Sequence, residues 1–249
     1  MDAKKNGMMF VLSSPSGAGK TTLTKKLAQN NKNLKISISH TTRKARPNEV
    51  NGQDYYFVDE KEFNVLVKNN NFFEYAKIFE NYYGTTKDPV LKLLSKGFDV
   101  LFDIDWQGTD QLRKIKNLSI VTFFILPPNI KILKERLLNR HQGQEKLIEN
   151  RMKKFNEELS HWNEYNYIVV NDELELCYEK ILGIITSEKK GIKQNQNMEE
   201  IKKKVEELAN SLLKNEVIFK DNLVSIFGAR KWKSYDEEKL EEDKESTSK

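Results

Sequence analysis

The stretch Ser14-Pro15-Ser16-Gly17-Ala18-Gly19-Lys20-Thr21-Thr22 carries the residue types that hold a polyphosphate. It comes close to the pattern G-x-x-x-x-G-K-[ST]. Glycines let successive backbone N–H groups converge on one concavity, and a helix beginning near Thr21 adds its positive end. A lysine at Lys20 then meets the β- and γ-phosphates, and the hydroxyl of Thr21 is of the kind that ligates Mg²⁺. Ser14 stands where the pattern has its first glycine, and a serine fits there if the backbone does not need a positive φ. The bland alternative is a glycine-rich strand-to-helix turn with a solvated lysine. The flanks favour the phosphate site: an apolar run, Phe10–Leu12, leads in, and a helical pattern, Leu23–Gln29, leads out.

Such a loop needs a sheet behind it. Phe98–Ile104, Ile120–Leu126 and Tyr167–Val170 are short β-branched or aromatic runs of the sort found in buried parallel strands. Helical patterns at Ile130–Asn139 and Leu147–Glu158 alternate with them. That order predicts an α/β fold, a parallel sheet core flanked by helices. Ligands then lie beyond the carboxyl ends of the strands, where the phosphate loop and the Asp103/Asp105 segment would meet. Residues of about 36–88 read differently, as a small mixed α+β insert. Asn51-Gly52 predicts a hairpin turn within it, and Asp59-Glu60-Lys61-Glu62 a capping box opening a short helix, Phe63–Lys68.

Composition excludes several classes. The formal charge of +5 is scattered, with no basic face interleaved with aromatics, so no nucleic-acid partner is expected. No apolar run approaches the roughly 18 residues of a membrane span, and the N-terminal apolar stretch is too short for a secretory signal. The single cysteine, Cys177, cannot form an internal disulfide and reads as a core residue, so a reducing cytoplasmic location is expected. None of the three histidines has metal-ligand spacing.

Ser39-His40-Thr41-Thr42-Arg43-Lys44-Ala45-Arg46-Pro47, then Glu49 to Tyr55, Phe73-Glu74-Tyr75-Ala76, Asn81-Tyr82-Tyr83-Gly84-Thr85, Asp103-Ile104-Asp105-Trp106-Gln107-Gly108 and Val169-Val170-Asn171-Asp172 follow one another in a specific order. Together with the phosphate loop, this set resembles the guanylate kinase family from about residue 8 to about residue 186. The resemblance implies transfer of the γ-phosphoryl of ATP to GMP, with Mg²⁺ accompanying ATP. It implies ATP contacts from Ser14 to Thr22, and GMP contacts from Ser39, Arg43, Arg46, Tyr55, Glu74, Tyr83, Thr85 and Asp105. Asp103 would serve the magnesium water shell beside Thr21.

These roles make chemical sense. Arg43 and Arg46 can clamp a dianionic phosphate with forked bonds, to which Tyr55 and Tyr83 add phenolic donors. Glu74 can accept both the N1–H and the exocyclic amine of guanine, while Ser39 and Thr85 offer hydroxyls near O6. Surface salt bridges are the alternative for the arginines, and plain packing for the tyrosines. The resemblance further implies a helical lid at about 128–156 carrying the transition-state arginines Arg136, Arg140 and Arg151 beside Lys20 and Arg43 as the catalytic set. The lid departs from the family at Arg140-His141-Gln142-Gly143-Gln144, where the glycine is displaced. Asn171 has two readings, an adenine contact or a strand-end turn residue.

Residues beyond 187 lie outside the resemblance. The stretch 188–197 reads as a linker, and Ile201, Val205, Leu208 and Leu212, with Leu213 beside them, form one stripe of a helical extension at 198–230. Leu223, Val224, Ile226 and Phe227 continue it to Gly228, and the stretch 231–249 is acidic and expected to be disordered. The stripe predicts docking on the core or on another protein. Two other classes stay open: a binding module of the same fold with a decayed ATP site, and a kinase for another nucleoside monophosphate.

Overall fold

In chain order the elements are β1 (Met9–Ser13), α1 (Lys20–Asn30), β2 (Leu34–Ile36), β3 (His40–Thr41), β4 (Tyr56–Phe57), α2 (Glu60–Lys68), β5 (Phe72–Ile78) and β6 (Asn81–Thr86). They continue as α3 (Lys87–Ser95), β7 (Asp99–Asp103), α4 (Trp106–Arg113), β8 (Ile120–Leu126), α5 (Ile130–Arg140), α6 (Glu145–Ser160), β9 (Tyr167–Val170), α7 (Leu174–Lys189) and α8 (Met198–Lys214). This computed structural model describes residues 6–140 and 145–214. Residues 141–144 with His141, the side chain of Arg140, the cluster at 223–228 and the acidic stretch 231–249 lie outside the described residues.

Five strands form a parallel sheet in the order β2-β7-β1-β8-β9. Period-two alternation divides its side chains between two faces. Phe10, Leu12, Phe123 and Ile125 pack with Leu23 and Leu27 of α1 and with Cys177, Ile181 and Ile184 of α7. Met9, Val11, Val100 and Phe102 face Val90 and Leu94 of α3 and Leu112 of α4. Phe124, Leu126 and Ile168 meet α5, α6 and α8. Cys177 is therefore a buried core residue, and burial pushes its thiol up to about 12.

The insert is a second sheet, ordered β4-β3-β6-β5, with α2 beside it. The capping box forms: Asp59 accepts from the Glu62 N–H at 2.8 Å, and Glu62 reaches back to the Asp59 N–H at 3.1 Å. Two expectations are corrected. Asn51-Gly52 does not make a hairpin, because β3 and β4 run parallel, pairing His40 with Tyr56. Gly52 instead turns a loop at φ 78°, its N–H bonded to the Tyr55 carbonyl at 2.8 Å. Residue Ile36 belongs to the core sheet, pairing with Leu101, so the insert begins after it.

The stretch read as a linker is fastened to the sheet edge. The Gln196 carboxamide accepts from the Ile168 N–H and donates to the Ile168 carbonyl, each at 2.8 Å, continuing the ladder that edge strand β9 leaves open. That pairing delivers α8 onto the core, where Val205, Leu208, Ala209 and Leu212 are buried against the cluster holding Leu133, Leu137, Met152 and Phe155. The helical stripe thus docks on its own chain. Leu212→Ala is expected to cost about 2–5 kcal/mol, the range for emptying a buried leucine site, read as a lowered urea midpoint. A shift under about 1 kcal/mol would mean that α8 is not part of the cooperative core.

Candidate active site

The loop after β1 and the carboxyl ends of β7 and β9 open into one cleft of about 500 Å³, closed on its other side by the insert. Gly17 and Gly19 adopt φ of 94° and 97°, as a concave run of N–H groups requires. Ser14 is not among the residues with positive φ, so serine fits in place of the first glycine. Ser14, Pro15, Ser16, Gly17, Gly19, Lys20, Thr21 and Thr22 all line the cleft, while Ala18 is fully buried beneath. Lys20 is held low, donating to the Ile104 carbonyl at 2.6 Å and pairing with Asp103 at 2.9 Å. Asp105 caps α4, accepting from the Gly108 N–H at 3.0 Å and from Gln107 at 3.1 Å.

Across the cleft, Glu74 on β5 is buried and faces inward. Burial pushes its carboxyl up to about 7. Its Oε1 has no hydrogen-bond partner, although the residue also interacts with Thr85. Ser39 and Thr85, both buried, bond to each other through their hydroxyls at 2.9 Å. A buried carboxylate oxygen without a donor is costly and calls for one from a ligand. Gly108 makes room for it, because a β-carbon at that position would lie 2.6 Å from Glu74 Oε2. Gly108→Ala is expected to keep or raise stability, since alanine favours the helix by up to about 1 kcal/mol, yet to displace Glu74. A rise in the Michaelis constant for the acceptor with unchanged thermal stability would show it; an unchanged constant would refute it.

Arg43 donates two bonds from Nη2 to the Glu49 carboxylate, each at 2.9 Å, and one from Nη1 to the Lys44 carbonyl at 2.6 Å, and Glu49 also accepts from the Arg46 N–H at 2.8 Å. Both arginines nevertheless line the cleft, so the ion pair and a place at the site coexist. Arg43 also lies 5.5 Å over the Tyr55 ring, and Tyr55 meets Tyr83 edge-on at 6.0 Å. Burial pushes the Tyr55 phenol up, keeping it a donor.

Arg136 of α5 donates to the Ala18 and Asn171 carbonyls, each at 3.3 Å, and Arg151 of α6 donates to the Ser16 hydroxyl. Asn171 is buried and donates its carboxamide N–H to the Ala18 carbonyl at 2.7 Å. Its Oδ1 has no hydrogen-bond partner among the described residues and a second amide hydrogen remains, so Asn171 fastens the loop after β1 while keeping a donor and an acceptor. Of the histidines, His40 stacks on Tyr56 at 4.7 Å beside Ser39, and His161 stacks on Trp106 at 3.8 Å.

The family model described as Guanylate kinase matches residues 6–188. A guanylate kinase of Rickettsia prowazekii is 51% identical over 189 residues, covering 76% of this chain and 95% of that protein. One from Rhodopseudomonas palustris is 50% identical over 185 residues, covering 74% of this chain and 84% of that protein. The crystal structure of guanylate kinase from Anaplasma phagocytophilum superposes with a TM-score of 0.62 at 35% identity, covering 74% of this chain and 87% of that one. The chain belongs to the guanylate kinase family. The α/β architecture read from the sequence agrees with that membership.

Glu158 and Phe79 are among the cleft residues that the sequence does not mark. Glu158 of α6 accepts from the Ser16 N–H at 2.9 Å, and burial pushes its carboxyl up to about 7. Phe79, at the tip between β5 and β6, also lines the cleft. Glu158 sits on a helix rich in charge, and Phe79 in an aromatic-rich strand pair, so neither stands out by spacing.

Proposed function

We propose that this chain is a guanylate kinase in the full sense, transferring the γ-phosphoryl of ATP to GMP to give ADP and GDP in the cytoplasm. The observation that carries the reading is one cleft holding both a phosphate-loop lysine, Lys20, and a buried carboxylate, Glu74, with an oxygen lacking a donor. Guanine offers two adjacent donors to such a group, whereas adenine would leave it unpaired and desolvated. Ser39 and Thr85 complete the base end.

Phosphoryl transfer needs little covalent help and much neutralisation of charge on the moving group. On the acceptor side, Arg43 and Arg46 take the GMP phosphate. Glu49 now engages both with a carboxylate, contacts that the phosphate oxygens would take over. On the donor side, the loop N–H groups and Lys20 hold the ATP phosphates, and Arg136, Arg140 and Arg151 neutralise the equatorial oxygens. Asn171 and Glu158 brace the loop from outside. The hard oxygen donors of Thr21 and Asp103 fit a Mg²⁺ that arrives with ATP. When bound, the ion supplies positive charge to the β- and γ-phosphoryl oxygens. In this reading residues 1–187 carry the chemistry, with the insert running from after Ile36 to about 88 and the lid at about 128–156, and α8 (Met198–Lys214) is a helical extension.

The test is ADP formation from ATP and Mg²⁺ with GMP, AMP, UMP and CMP offered separately. Turnover with GMP alone is the expected result. Turnover with another acceptor would reassign the substrate, and binding of GMP without turnover would favour a non-catalytic module.

A further inference from the structure

Phe79 occupies an unfavourable backbone position at a place where nothing about the hairpin needs a phenyl ring. Ile78 pairs with Asn81, so Phe79 and Glu80 are the whole connection between β5 and β6. Phe79 has φ 55°, in the left-handed region that such two-residue turns favour and that glycine, asparagine or aspartate fill without strain. A bulky residue held there is a strained feature, and strain of this kind clusters at functional sites.

The ring's surroundings give the strain a purpose. The Arg151 guanidinium lies 5.5 Å from its centroid and the Lys154 ammonium 4.4 Å from it. Both cations are on α6, and Arg151 also donates to the Ser16 hydroxyl in the phosphate loop. The hairpin that ends in Phe79 carries Glu74 on one strand and Tyr83 and Thr85 on the other. One two-stranded ribbon therefore carries Glu74 and Thr85 in the cleft and reaches Arg151 at its tip.

Resting on the kinase reading above, we propose that Phe79 is a positioning residue that holds Arg151 over the phosphate loop through its ring face, linking the insert that takes GMP to the ATP phosphate site. The reacting atoms are untouched by Phe79; it acts through Arg151. Affinities of the two nucleotides are then coupled reciprocally, each tightening the other by the same factor.

Phe79→Gly tests this sharply, because glycine suits a φ of 55° and the turn keeps its fold. Phe79→Trp retains an aromatic face, the best of the three for a cation. In the wild-type chain a non-hydrolysable ATP analogue should bind more tightly when GMP is present. The expected result is that Phe79→Gly keeps or gains thermal stability, binds each nucleotide alone within about twofold, loses the mutual tightening and drops kcat about tenfold. Phe79→Trp should restore both to within about threefold. In an Arg151→Ala background, Phe79→Gly should have no further effect on coupling or kcat, because coupled residues are not additive. Undiminished coupling in Phe79→Gly, or a full additional loss in the Arg151→Ala background, would overturn the role. If the wild-type chain itself gives no turnover with GMP, the kinase reading fails instead, and the binding measurements still decide whether Phe79 links the two nucleotides.

Discussion

Lys20→Ala is expected to abolish most turnover with GMP, lowering kcat by about 10²–10³-fold, the range for losing one preorganised donor to a developing negative charge. The side chain is well placed for that work. It is 17% exposed and tethered to the Ile104 carbonyl and Asp103, so its ammonium is already desolvated at the mouth of the loop. In such surroundings a charge interacts more strongly with phosphate oxygens than it would in water. The Michaelis constant for ATP should rise as well, since the same ammonium meets the ground-state phosphates. Steady-state kinetics with ATP varied at saturating GMP, accompanied by a thermal melt to exclude unfolding, is the measurement. A variant within tenfold of wild type would move the catalytic burden from Lys20 to the lid arginines.

Glu74→Gln is expected to raise the Michaelis constant for GMP by about 10²–10³-fold, corresponding to two charge-assisted hydrogen bonds at about 1.5–3 kcal/mol each, discounted for incomplete additivity. The glutamine would present an amide donor to one of guanine's own donors, which removes one bond and opposes the other. The wild-type chain should show a matching pH effect. The proposed recognition of guanine uses the carboxylate form, and burial has pushed the Glu74 carboxyl up to about 7. The Michaelis constant for GMP should therefore rise as pH falls through 7, by up to about tenfold per unit. Glu74→Gln should be flat over the same range, apart from titration of the GMP phosphate common to both proteins. Stability runs the other way. A carboxyl whose folded value lies above its ordinary 4.5 binds protons more tightly in the native state. The stability it costs is absent below about 4.5, grows as pH rises, and is complete above about 7. Glu158 adds to the cost in the same window. Denaturant midpoints of wild type and Glu74→Gln between pH 5 and pH 8 should diverge as pH increases, with the variant gaining. Parallel midpoints would mean that Glu74 ionises freely in the folded chain.

The sequence by itself determined the α/β class, the phosphate loop and the family. Each of these rests on local order: glycines at Gly17 and Gly19 before Lys20, apolar runs of strand length, and a capping box at Asp59 and Glu62 that forms as read. Local rules failed at Asn51-Gly52, because the pairing of β3 with β4 is set by the sheet they join and not by the turn between them. The three residues of β2 were too few to show a period. The helix stripe of α8 was legible, but its destination was not: Gln196 at the sheet edge and the apolar cluster around Leu133 and Leu137 decide it. The same holds within the cleft. Asn171 carries two readings in the sequence, an adenine contact or a strand-end turn residue, and the fold adds a bond from its carboxamide to the Ala18 carbonyl 2.7 Å away. Glu49, Glu158 and Phe79 have partners 6, 142 and 72 or more residues distant in the chain, with Arg43, Ser16 and Arg151 respectively. Motif spacing records what a segment can do; burial and the partner brought by the fold decide which of those things it does, because desolvation and hydrogen-bond satisfaction are properties of the packed chain.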